Sequence, residues 1–173
     1  MALCRHISSE GIEELKKMES VEPVAYTCSA GHLTIGVGHK LTAKESNTGL
    51  LLIDGKAVPW ADGLTPEQIN DLLRADLETA EWVVESCVKA PLTDNQFAAL
   101  VSLCFNIGGE AFKNSSVVRV INKGEFHLVP GFLRMWNKIS VQICDVEGCK
   151  IQKRVSKGLV NRREAEIRLF LKP

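Results

Sequence analysis

The 173 residues suit one domain, or two small lobes sharing a core, and are enough to bury a substantial apolar interior. Twenty-one basic residues balance twenty-one acidic ones, so no global field argues for nucleic acid, and no segment approaches the roughly 18–20 apolar residues of a membrane span. The balance hides an asymmetry: residues 1–90 hold 8 Lys/Arg against 14 Asp/Glu, and residues 91–173 hold 13 against 7, which fits either two differently solvated faces or a basic half turned to an anionic polymer.

In chain order, residues 1–17 contain no apolar core of signal-peptide length. Ser8 or Ser9 caps a first helix whose apolar stripe is Ile12, Leu15 and Met18, and Glu19 falls at its C-terminal end. The negative end of the helix dipole disfavours carboxylate charge there, which suits a proton donor. Pro23 is expected to stop the helix, and Val24 to Lys40 reads as short strands with glycines at tight positions. A hairpin follows from Leu50 to Val58, turning at Asp54-Gly55.

Thr65-Pro-Glu-Gln68 is a capping box with Pro at the first helical position. The pattern from Ile69 to Cys87 extends that helix to about Val88, roughly 35 Å at 1.5 Å per residue. Pro91 breaks it. Thr93-Asp-Asn-Gln96 opens a helix to Asn106 that Gly108-Gly109 ends. Ser115 or Ser116 caps another, ending at Lys123-Gly124. A short helix around Phe132 to Asn137, a hairpin from Ile139 to Gln152 and a last helix from Leu159 to Phe170 complete the order. Of the six cysteines, Cys87 and Cys104 sit at helical spacing among apolar residues and read as small buried hydrophobes. Cys144 and Cys149 flank Asp145-Val-Glu-Gly148 across the second hairpin. The expectation for them is a reduced pair by default, with a bridge possible after export.

The chemistry concentrates near the start, in the run KKMESVEPVAYTCSAGHLTIGVGHK: Cys28 follows Glu19 by nine positions, and Thr34 follows Cys28 by six. This run resembles the active-site signature of phage lysozymes (endolysins, glycoside hydrolase family 24), in which Glu, eight residues, Asp or Cys, five residues and Thr surround the scissile sugar linkage. Further blocks resemble the same family in the same order. They are LTDNQFAALVSLCFNIG at Leu92 to Gly108, Asn114-Ser-Ser with Asn122-Lys-Gly124, Phe132 to Trp136, and GLVNRREAE at Gly158 to Glu166. The departures are the two hairpins, Pro130-Gly131 ahead of a helix, and Cys28 where Asp is commonest.

The resemblance implies an α+β, mainly helical lysozyme-like fold, a single domain over residues 1–173. Its small sheet lobe would cover about 19–64, its linking helix about 65–88, and its helical lobe about 1–18 and 89–173, with a cleft between the lobes. It implies hydrolysis of the β-1,4 bond between N-acetylmuramic acid and N-acetylglucosamine in peptidoglycan, with no cofactor. Such cleavage needs a proton donor for the leaving oxygen and a group on the opposite face to stabilise or attack an oxocarbenium-like centre. Glu19 takes the first role, and Arg162 stands at the position that pairs with it in the family. Cys28 stands at the second. A free thiol with a pKa of about 8.5 is only about 3% thiolate at pH 7, so it is a poor base. Three roles stay open for it: positioning water, acting as a minority thiolate nucleophile, or packing as a spectator. The Thr34 hydroxyl can hold the attacking water, although Thr also suits a strand. Phe105 and Asn106 fall where the family lines its saccharide cleft; packing and a helix end are the plainer readings. His39 with Asp76 reads as a structural ion pair.

The histidines and cysteines show no metal-ligand spacing, and Gly31 to Gly38 lacks the Lys and Ser/Thr of a phosphate loop. The resemblance implies peptidoglycan glycan strands as the partner, and the expectation is no nucleic acid, no stable membrane association and a monomeric chain. Synthesis in the host cytoplasm is expected, with action on the wall after the inner membrane is permeabilised. Two rivals are a lytic transglycosylase working through Glu19 alone and an inactive peptidoglycan-binding module.

Overall fold

Residues 5–28, 31–145 and 148–173 are described by a computed structural model. They form an α+β fold, mainly helical with three small antiparallel sheets. The chain divides into two compact units, one of Ile12–Thr79 and the other of Met1–Gly11 with Ala80–Pro173.

The smaller unit begins inside helix α1 (Ser9–Met18). The Ser8 hydroxyl accepts the Gly11 amide at 3.1 Å and caps that helix. The helix stops at Met18, ahead of Pro23, which lies within strand β1 (Glu22–Thr27). The Glu19 amide donates to the Lys16 carbonyl at 3.3 Å, an i→i−3 bond that tightens the last turn and ends the helix without Pro. Strand β1 pairs with β2 (Leu33–Gly36) and β2 with β3 (His39–Lys40), with a register irregularity in β1 between Glu22 and Tyr26.

Helix α2 (Ala43–Thr48) was not foreseen, yet its signals are present. Thr42 and Glu45 form a full capping box, and Gly49 closes it in the left-handed conformation at φ 70°. Strands β4 (Leu50–Ile53) and β5 (Lys56–Pro59) form the expected hairpin. Asp54 and Gly55 both have positive φ, 48° and 72°, as a two-residue hairpin turn requires. Leu51 and Ile53 face inward and join Ile35, Val37, Leu72 and Leu77 in burial.

Helix α3 (Pro66–Cys87) runs 22 residues, about 33 Å. Thr65 and Gln68 cap it reciprocally, at 3.2 and 2.8 Å. Residues up to Thr79 belong to the smaller unit and those from Ala80 to the larger.

In the larger unit, α4 (Asp94–Ile107) is buried on every side from Phe97 to Cys104, as expected of a helix apolar all round, and it packs along α8 (Lys157–Leu171). Burial pushes the Cys104 thiol up to about 12, so it behaves as the inert hydrophobe expected. Cys87 is a correction: as the last residue of α3 it is only half-buried. Gly109 does not merely end α4; it starts α5 (Gly109–Lys113). Helix α6 (Ser116–Asn122) is capped by Ser115, whose hydroxyl accepts the Val118 amide. After a 3₁₀ turn at Phe126–Leu128, α7 spans Val129–Arg134, so Pro130-Gly131 lies in its first turn and not ahead of it.

Strands β6 (Lys138–Asp145) and β7 (Gly148–Val155) form the second hairpin, longer than expected; residues 146–147 of its turn lie outside the described residues. Cys144 and Cys149 stand directly opposite in its ladder, Cα atoms 4.0 Å apart, and are joined by a disulfide. That corrects the expectation of a reduced pair. The ladder register supplies the proximity that the bond needs. Among the described residues, no helix is long and apolar enough to cross a membrane.

Candidate active site

Glu19 sits one residue past α1, partly exposed. Cys28 and Thr34 belong to the β1–β2 hairpin, and one backbone group joins them. The His32 carbonyl accepts the Cys28 amide at 2.9 Å and the Thr34 hydroxyl at 3.0 Å. The Cys28 carbonyl in turn accepts the Gly31 amide at 2.8 Å, closing a tight turn in which Gly31 has φ 79°. Ser29 and Ala30 lie outside the described residues. Thr34 is buried, facing Tyr26 on β1 and Lys40 on β3, while Cys28 stays partly exposed. Because the Thr34 hydroxyl has one proton and gives it to His32, toward a water it can act only as an acceptor.

The strand pair is held by a second device. His39 Nδ1 meets both carboxylate oxygens of Asp76 on α3, at 2.9 and 3.0 Å, and Nε2 lies 3.4 Å from Glu45. Burial alone would lower the His39 pKa, but hydrogen bonding and charge from Asp76, joined by Glu45, outweigh it and raise the value above 6.5. The expected His39–Asp76 pair is present, and it fastens β3 to α2 and α3.

The other candidates lie in the larger unit. Phe105 is partly buried and Asn106 exposed at the end of α4. Asn106 Oδ1 accepts from Arg163 at 2.9 Å, so its amide is positioned and not a loose helix end. Arg162 is buried, with Nε 3.1 Å from Glu166 and Nη2 against the carbonyl and hydroxyl of Ser102 at 3.3 and 3.2 Å. Glu166, fully buried, also accepts the Ser102 hydroxyl at 2.8 Å and Arg163 Nη2 at 2.9 Å. Burial pushes its carboxyl up, and the two guanidiniums pull the other way. The sequence reading found Arg162 but missed Ser102, Arg163 and Glu166. The signal was available: Arg162 and Arg163 precede Glu166 by four and three residues, the spacing that stacks side chains on one helix face.

The smaller unit thus joins Cys28 and Thr34 at one hairpin and sets Glu19 at the foot of α1. The larger unit links Arg162 and Asn106 through Glu166 and Arg163. A carboxyl group, a thiol and a hydroxyl are group types that acid-assisted bond cleavage by water can draw on.

The sequence model for phage lysozyme matches residues 16–166. An endolysin of Salmonella phage P22 is 39% identical over 132 residues, 76% of this chain and 84% of that protein. Among solved structures, an endolysin from the Escherichia coli phage FAHEc1 superposes with a TM-score of 0.77 at 34% identity, covering 96% of this chain and 94% of the other. The muramidase domain of SpmX from Asticaccaulis excentricus gives 0.75 at 35% identity, covering 98% and 100%.

Proposed function

The chain belongs to the phage lysozyme family, and from that premise we propose how it cuts the wall: Glu19 as the acid, with Cys28 and Thr34 managing the water. It is a glycoside hydrolase, a muramidase that hydrolyses the β-1,4 bond between N-acetylmuramic acid and N-acetylglucosamine in peptidoglycan and so lyses the cell.

Glu19 gives its proton to the glycosidic oxygen as the bond to the anomeric carbon breaks. Water adds to that carbon, and the products are a new reducing end and a free hydroxyl. The single observation supporting the division of labour is the shared His32 carbonyl, which fixes Thr34 as an acceptor for water beside the Cys28 turn. The thiol of Cys28 orients that water, whose displaced proton leaves to solvent while the Glu19 carboxylate takes up one proton from solvent, which restores the acid. Phe105, Asn106 and Arg162 are the proposed substrate-binding or supporting residues, Asn106 held by Arg163 and Arg162 by Glu166.

The proposal extends to the whole chain as one lysozyme-like domain. It works as a monomer on peptidoglycan strands without stable membrane association, is made in the host cytoplasm, and reaches the wall once the inner membrane is permeabilised. The test is turbidity of outer-membrane-stripped bacteria together with reducing-end release from purified wall. Binding without either signal would remove the enzymatic reading, and 1,6-anhydro ends would replace hydrolysis with transglycosylation.

A further inference from the structure

The side chains of the β6–β7 hairpin have an ordered arrangement that catalysis at Glu19 does not use. Every described residue of β7 is exposed, and none of the larger packing interfaces between elements involves either strand apart from their own pairing. A two-stranded ribbon of this kind contributes little to a core. The ladder register sorts its residues into two faces. Ser140 lies opposite Lys153, Lys138 opposite Val155, and Cys144 opposite Cys149, so these six share one face.

That face closes one side of a cavity of about 340 Å³. Its lining combines the apolar and aromatic Phe132, Met135 and Trp136 with the polar Asn114, Ser115 and Ser116, and the hairpin supplies Lys138 and Lys153. Ser115 Oγ accepts the Val118 amide at 3.3 Å and Ser116 Oγ accepts Arg119 at 2.8 Å, which leaves the hydroxyl protons as donors. The described lining therefore offers two lysine ammonium groups, two hydroxyl donors and the Asn114 amide beside three apolar or aromatic side chains, and no carboxylate. Among the described residues, the acid bonded to a lining residue is Glu110, engaged by the Asn114 amide at 2.9 Å. An occupant that matches has an apolar body ending in a carboxylate.

We propose that Lys138 and Lys153 form a carboxylate-binding wall of this pocket, and that it seats a free carboxylate of the peptide carried by the wall glycan. This rests on the muramidase reading and makes the hairpin a specificity element for peptide-bearing substrate. The disulfide fits the same role. A one-residue slip of the ladder would turn Lys153 to the opposite face, and the Cys144–Cys149 bond prevents that slip.

The experiment compares the wild type with the Lys138→Gln/Lys153→Gln double variant on two substrates. One is purified peptidoglycan with its carboxylates free. The other is the same material with carboxylates capped as methylamides by carbodiimide coupling. Reducing-end release gives kcat and KM, and thermal melting verifies the fold. Two exposed ion pairs predict a rise in KM of about fivefold, with kcat unchanged. The wild type should show that rise on capping, the double variant should show it already on free-carboxylate wall, and the variant should be indifferent to capping. Lys138→Arg/Lys153→Arg should restore the preference. A wild type indifferent to capping, or a double variant with wild-type KM on free-carboxylate wall, would overturn the proposal while leaving the muramidase reading intact. An equal loss on both substrates would also overturn it. Absence of reducing ends from either substrate with the wild type would overturn the muramidase reading itself.

Discussion

Cys28 and Thr34 are coupled through a single acceptor, the His32 carbonyl, which takes the Cys28 amide at 2.9 Å and the Thr34 hydroxyl at 3.0 Å. The backbone bond sets the turn that presents the thiol, and the side-chain bond sets the direction of the threonine lone pairs. Thr34→Val keeps the shape but loses those lone pairs, so kcat should fall by about 10- to 100-fold, with a stability loss of about 1 kcal/mol for the missing bond. Thr34→Ser should keep most of the rate. A Thr34→Val enzyme with wild-type kcat in a reducing-end assay would show that this hydroxyl holds no reacting water.

The two remaining catalytic positions separate in opposite directions. Glu19→Gln keeps the volume and removes the transferable proton, so lysis should stop while wall binding persists. Cys28→Asp should keep or raise activity, because an ordinary carboxylate is almost wholly ionised at neutral pH and can accept from the water, whereas an ordinary thiol is about 3% ionised. Turbidity clearing and a wall pull-down measure both. Full activity in Glu19→Gln would end the mechanism proposed above.

The His39 cluster predicts a pH dependence of stability. His39 is raised above 6.5 by Asp76 and Glu45 despite burial, so its contribution is complete below that value and is lost as pH rises through the higher folded value. Glu45 works the other way. Burial would raise it, but bonds from Thr42 and the charge of His39 lower it below 4.5. Its contribution is present above that value and lost as pH falls through the folded one. The two overlap between 4.5 and 6.5. Thermal midpoints should be highest there, and Asp76→Asn should flatten the alkaline side of the profile. An unchanged alkaline slope in that variant would detach His39 from the effect.

Much of this order was legible because local chemistry and tertiary structure agree. Thr65 with Gln68 and Thr93 with Gln96 are capping boxes both as strings and as bonds, and Asp54-Gly55 turns as its dipeptide demands. What sequence missed was set by partners distant in the chain. Arg163 looks like a solvated charge until Glu166 and Asn106 are seen on either side of it. The Cys144–Cys149 bridge was misjudged because compartment was weighed ahead of register, and register decides whether two sulfurs meet. Pro23 misled for a related reason: Pro can also begin an edge strand, and here it stands in β1.

The buried cluster around Glu166 should be expensive to open. Glu166 sets its one carboxylate against both Arg162 and Arg163, and all three are buried. Glu166→Ala leaves two buried guanidiniums without their carboxylate, a loss of about 3–5 kcal/mol in urea unfolding. It should also free the Asn106 amide by releasing Arg163, raising KM for wall. Glu166→Gln, which keeps the Ser102 hydrogen bond but not the charge, should fall between the two.

Reduction of the Cys144–Cys149 bond should act locally. Both β6 and β7 lie open to solvent along most of their length, so the bond contributes to the order of the ribbon and little to the packed unit beneath it. Mild reductant should leave the thermal midpoint within about 1 °C, because no buried apolar area changes. Amide hydrogen exchange across 138–155 should accelerate by at least about tenfold as the ladder gains freedom to fray and slip. Exchange at α4 should not change. If the midpoint fell by many degrees on reduction, the hairpin would have to be counted as part of the folding core, and its role as an appended specificity arm would need to be abandoned.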